Sequence, residues 1–418
     1  MASLPWVSSD GNLNRVSTNW IVNRKSDLLW FIGGALAGYA LFFMHSGFNL
    51  DMVTIWFLWI IFLDTPHFFG TYVRTYFDKE EWHNRKKLLI GSFAWLLVGP
   101  ATIGLSYLLF QSGIGNYTLP FFIFIIFFNL WAYWHVVRQH FGIMSLYKKK
   151  NNDYDTVDTR ADKWILYGGL LGPFAAFLVR HPEVRDRLGL GGVMPEYPSL
   201  AEGGFLAQIE GIFTANFWVQ VHWEHIIIAL SVLLFSTVIL FFVYRQFYRW
   251  RAGLPINLPK ILFLIALIPL YALICYSPFV LTAPLLAFSA FVTIYHDVQY
   301  HAIVWFYSQN RYHRPGVDPK KYGLAVKISK NFATYMLSGI AMAALFRLFG
   351  CTFEIHPGCG PLVLTSTSEL FSGFTSKELI LSFMLGFSMH HYFVDQFIWR
   401  PSKDKTLQSD LKLNQQKG

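Results

Sequence analysis

Seven of the chain's 14 histidines occur in types and spacings that suit metal chemistry: His67, His135, His140, His296, His301, His390 and His391. Three aspartates accompany them. Asp297 and His301 are four residues apart, as are His391 and Asp395, and Asp64 precedes His67 by three, so each pair shares a helix face. A metal-bound imidazole usually donates its second N–H to a carboxylate. Asp64, Asp297 and Asp395 are therefore the expected orienting groups of a catalytic centre, and neutral, carboxylate-oriented histidines suit Fe, Cu or Zn. Positions five apart on a helix diverge by about 140°. His135/His140 and His296/His301 would thus not chelate one ion from straight helices. Either a local distortion joins the two rings, or one of each pair is a ligand and the other stands behind it or faces substrate.

The elements that must carry these residues follow from composition. Of 418 residues, 54% are hydrophobic, 18% aromatic and 14% charged, against about 25% charged in soluble domains. This excludes a disordered, fibrous or nucleic-acid-coating protein and predicts an all-α polytopic membrane protein. Ten stretches are long and apolar enough to cross a bilayer: 28–45, 51–72, 88–110, 119–141, 163–180, 226–245, 259–276, 280–302, 332–350 and 378–398. The expected layout is a polar N-terminal segment over 1–27 without a signal-peptide pattern, one transmembrane domain over 28–398, and a tail over 399–418. The long connection 181–225 contains helix-like apolar spacing at 199–222, suited to lying along an interface.

Charge then sets orientation. Of 34 lysines and arginines, 28 fall in or beside the N-terminal segment and the connections after even-numbered stretches, and 3 in those after odd-numbered ones. The positive-inside rule puts both termini in the cytoplasm, and a net charge of +9 needs no acidic partner. The seven histidines all lie late in even-numbered stretches, so they should finish at one depth near the cytoplasmic face. Ionisable groups at such positions are costly and point to function.

Other residues fit plainer roles. His222 and His225, in HWEH with Glu224, fall at the opposite end of a stretch and belong to an interface; His356 lies in an outer loop, and His83 and His313 in basic cytoplasmic segments. Arg138 suits snorkelling to the interface, although with Gln139 it could also bind a phosphate or carboxylate. Phe68, Phe69, Trp134, Phe141, Tyr295, Tyr300, Trp305, Tyr392 and Phe393 could line a pocket for a flat hydrophobic substrate or form an aromatic belt. Cys275 lies in an apolar run, while Cys351 and Cys359 could pair in an oxidising compartment. No Walker-type loop, GxGxxG, GxSxG or CxxCH occurs, and the polar groups gather at one end of the spans rather than at the mid-membrane level typical of transporters.

The stretches TPHFFG around His67 and QHFG around His140, with histidines on several spans, resemble the bacterial β-carotene 15,15′-dioxygenase family. Those membrane non-haem iron enzymes cleave a carotenoid with oxygen. The resemblance implies iron held by His67 and His140, completed by His296 or His301 and by His390 or His391. A second resemblance is to membrane fatty-acid desaturases and hydroxylases with di-iron centres, although their HxxxH and HxxHH boxes are absent here. A bis-histidine haem b electron carrier or a transporter is the reading outside oxygenases. The expectation is an oxygenase with mono- or dinuclear non-haem iron. It would use O2 on a lipid or isoprenoid drawn from the bilayer, with a redox partner where electrons are consumed and no nucleic acid. A bacterial inner membrane is the expected location.

Overall fold

In the computed structural model, residues 16–48, 50–195, 212–214, 221–355, 363 and 368–413 are described. His356, Cys359 and most of 199–222 lie outside them. Each of the ten apolar stretches lies largely in a long helix, with 280–302 entering its helix at Leu285. Seven of these helices are long and apolar enough to cross a membrane: α1 (Arg24–Phe48), α2 (Met52–Thr75), α3 (Lys79–Gln111), α4 (Leu119–Lys150), α6 (Trp223–Arg251), α7 (Leu258–Tyr276) and α9 (Phe332–Thr352). The others, α5 (Thr156–Arg180), α8 (Leu285–Tyr312) and α10 (Ser376–Ile398), are as long but carry more polar side chains. In α8 and α10 these include His296, Asp297, Gln299, His301, His390, His391 and Asp395. The residues that suggest chemistry are what dilute these helices' apolarity.

The chain divides into two compact units. The first comprises Met1–Thr18, Leu41–Asn49 and Asn151–Phe291; the second comprises Asn19–Ala40, Leu50–Lys150 and Val292–Gly418. In the first unit, α5, α6 and α7 pack together, with Phe177 and Phe288 stacked at 3.8 Å. Ser231 donates to Gly172 O at 2.5 Å and meets the Tyr276 hydroxyl at 2.8 Å. Asp155 caps α5 through the Asp158 N–H, and two-residue strands, β1 (Val16–Ser17) and β2 (Ile256–Asn257), pair in parallel. The HWEH segment opens α6: Glu224 pairs with Arg185 at 3.1 Å, His225 meets Pro195 O at 3.0 Å, and His222 is exposed at the N-cap.

In the second unit, α2 is the interior helix, packed against α9 and α10, and α10 also packs on α3 and α4. Close approach of α3 and α10 requires Gly386: a Cβ there would lie 2.6 Å from the Leu96 Cα. A Thr375–Glu378 capping box starts α10. At the other end of that helix, Arg311 of α8 binds Asp78 at 3.0 Å, Glu80 at 2.9 Å and Asp410 at 2.9 Å. This ties the α2–α3 turn, the end of α8 and the C-terminal segment together beneath the histidines.

Candidate metal centre

α2 is not a regular α-helix where it carries the chemistry. Pro66 has no N–H to offer the preceding turn, and the chain answers with a π turn over Ile60–Asp64, closed by Thr65 N–H to Ile60 O. Such turns are frequent at functional sites. From the last residue of the turn onward, Asp64, His67 and Thr71 are all buried. Gly70 admits the neighbouring helices, since a Cβ there would lie 2.7 Å from the Tyr335 hydroxyl and 3.1 Å from the Tyr300 ring.

Four imidazoles from four helices close into a ring of neighbours: His67 (α2), His296 (α8), His135 (α4) and His391 (α10). Successive ring centroids are 5.1, 5.6, 5.0 and 4.7 Å apart. All four are buried. His67 Nε2 lies 3.0 Å from His391 Nε2, and single ligand atoms of His67, His135 and His296 lie within 4.8 Å of one another. His135, His391 and Asp395 form a second such group. His296 Nε2 is buried without a hydrogen-bond partner. Two nitrogens on a tetrahedral ion with ~2.1 Å bonds sit ~3.4 Å apart, so the donors fit one transition-metal ion with little movement.

Groups behind the rings fix their orientation. The Thr71 hydroxyl donates to Asp395 Oδ1 at 2.8 Å, and its lone pairs face His391 Nδ1 at 2.8 Å and the Tyr300 hydroxyl at 2.6 Å. That network puts the His391 proton on Nδ1 and leaves Nε2 as a donor to an ion. Gln139 bridges His135 Nε2 at 2.8 Å and Asp395 Oδ2 at 2.9 Å. Asp297 corrects the sequence pairing. It lies 3.1 Å from His67 Nδ1 on another helix, rather than serving His301 one turn along its own. The Trp59 indole donates to Asp297 Oδ2 at 2.8 Å. Asp64 Oδ1 is 3.9 Å from His67 Nδ1.

Three of the seven histidines expected as ligands stand outside the ring. His301 meets the Tyr335 hydroxyl at 3.1 Å and Leu63 O at 3.2 Å, occupying both nitrogens. His390 meets the Tyr76 hydroxyl at 2.7 Å and stacks on Phe93. His140 lies beside Tyr295, with its ring 6.3 Å from His296. The reason is angular: α4 and α8 are helical through their HxxxxH pairs, so one ring of each pair turns away. Of the aromatics, Phe68 stacks on His391 at 4.6 Å, Tyr392 lies 4.5 Å from His135 and Tyr300 lies 5.2 Å from His67, while Trp134 is exposed. Arg138 is also exposed, near Trp134 and Phe141.

Sequence reasoning missed Thr71, Tyr300 as a polar partner, and Trp59. Thr71 had a readable signal, since it follows His67 by one helical turn. Arg347 had one too, as a lone arginine in the apolar run of α9; its Nη2 donates to Thr65 Oγ1 at 3.0 Å. No family model, curated protein or solved structure matches the chain.

Proposed function

We propose that the protein is a ten-span membrane oxygenase with both termini cytoplasmic, in which His67, His135, His296 and His391 hold non-haem iron near the cytoplasmic face. The substrate is a lipid or isoprenoid of carotenoid-like character that enters laterally from the bilayer, and O2 is the co-substrate. The observation that carries this reading is the buried ring of four imidazoles from four separate helices, with Thr71 and Asp395 fixing His391. Neutral buried imidazoles that face one another present ring lone pairs, as at the unpartnered His296 Nε2, and a metal ion is the acceptor that such a set suits.

Iron bound there supplies the one-electron chemistry that lets O2 react with a closed-shell hydrocarbon. The chain's part is to bind, orient and shield. Thr71 and Asp395 keep the His391 Nε2 lone pair inward. Tyr300, 3.1 Å from Asp395 Oδ1, holds a proton beside the centre. Phe68 and Tyr392 cover the rings and exclude water from reactive species. The test is metal analysis with an optical spectrum of detergent-purified protein. Stoichiometric iron without a Soret band is the expected result. A Soret band makes the protein a cytochrome, and a folded metal-free protein ends the oxygenase reading.

A further inference from the structure

We infer that His67 bridges two ions, and that Asp64, Asp297 and its Nδ1 form a second cation site behind the four-histidine ring. The inference rests on the proposed metal centre and gives it a nuclearity of two. Its first support is geometric. One ligand atom each from Asp64, His67 and Asp297 lie within 4.8 Å of one another, with His67 Nδ1 3.1 Å from Asp297 Oδ1 and 3.9 Å from Asp64 Oδ1. The opposite nitrogen of the same ring, Nε2, faces His391 at 3.0 Å. A single imidazole therefore presents one nitrogen to each group.

The second support is what these atoms lack. All three residues are buried, and His67 is 2% and Asp297 0% exposed. His67 Nδ1 and Asp297 Oδ1 are both without a hydrogen-bond partner, although they are only 3.1 Å apart. An ordinary carboxylate–imidazole hydrogen bond would use both atoms. Trp59 holds Asp297 through Oδ2, which leaves Oδ1 turned toward the histidine.

The third support is charge. Two carboxylates meet in a water-poor interior, and Arg347 of α9 is the cation acting on Asp64. Asp297 is met by the neutral Trp59 indole and by Thr293. Two carboxylates this close in a buried pocket cannot both be ionised against one arginine unless a further cation joins them, and a bound ion would be that cation. One imidazole nitrogen with two carboxylates suits a borderline divalent ion such as Fe2+ or Zn2+. With both nitrogens given to ions, His67 would have lost its one ring proton to solvent on loading and would lie between them as an imidazolate.

The test uses the full chain in detergent, stripped with chelator, reloaded anaerobically with Fe2+ and gel-filtered before metal counting. Two equivalents per chain are expected for the wild type. Asp297→Asn and Asp64→Asn should each retain one, and His391→Ala should also retain one, now at the carboxylate site. Size-exclusion profiles matching the wild type establish that the variants are folded. Cu2+ loading gives an independent readout: two ions joined by His67 produce an exchange-coupled paramagnetic resonance signal that Asp297→Asn converts to an uncoupled one. One equivalent in the wild type, with an uncoupled signal, overturns the second site and leaves the four-histidine centre standing, with Asp297 only orienting His67. Two equivalents that survive both Asp variants also overturn it. No bound metal overturns both readings.

Discussion

Each unit buries a cluster of ionisable groups, and the two clusters balance differently. In the first unit, Lys260 lies 2.6 Å from Asp153 and 2.9 Å from Asp162, Arg249 lies 3.3 Å from Asp153 and also binds Asp158, and Arg245 lies 2.9 Å from Asp158. Acids and bases alternate, so the network satisfies itself and staples the ends of α5, α6 and α7. In the second unit, four imidazoles and two carboxylates face one another with Arg347 as the nearby cation. Burial alone therefore says little about function. A cluster that closes on itself is architecture, and one that leaves donors facing each other is a candidate site for a guest.

The sharpest way to break this contrast is to remove a ring ligand. His391→Ala should weaken binding at the four-histidine site by more than ~100-fold, beyond what loss of an orienting group costs, and should abolish oxidation, while His222→Ala in the first unit leaves metal content unchanged. Calorimetric or fluorescent metal titration reads both. Next, Lys260→Met should destabilise the protein by about 3–5 kcal/mol, because Asp153 and Asp162 both lose the Lys260 ammonium while they stay buried. Thermal unfolding in detergent measures this, and metal per folded chain should not change. A smaller effect is expected from Thr71→Val, which keeps the shape but removes the hydroxyl between His391, Asp395 and Tyr300. Metal affinity should fall about 10- to 100-fold, with a modest drop in unfolding temperature because buried Asp395, His391 and Tyr300 each lose a partner.

The smallest effect concerns the helix cap of the first unit. Asp155→Ala should cost about 1 kcal/mol at neutral pH. Its carboxyl is held below the usual range, chiefly by the Asp158 backbone N–H it accepts. A depressed carboxylate stabilises the fold above its unfolded-state value and loses that contribution as pH falls through the folded-state one. The variant and wild type should therefore differ at pH 7 and converge below about pH 4, as read by unfolding midpoints across pH.

Much of this was legible in the chain. Runs of apolar residues about twenty long have few ways to satisfy their backbone in lipid other than as helices, and the expected stretches lie largely in helices. The polar residues of α8 and α10 marked the site by interrupting such runs. Helical spacing also forced each HxxxxH pair to divide between facing and averted rings, because that angle is a property of one helix.

Which ring of each pair faces inward was not legible, since it depends on the rotation of each helix about its own axis. Packing against neighbouring helices sets that rotation, as where Gly70 of α2 admits the Tyr300 ring of α8. Nor could sequence pair Asp297 with His67, 230 positions earlier, or place Thr71 between His391 and Asp395. Local sequence fixes periodicity and transfer energy, which are properties of single segments. Partnership across helices arises from packing, where side chains distant in the chain compete for one small volume.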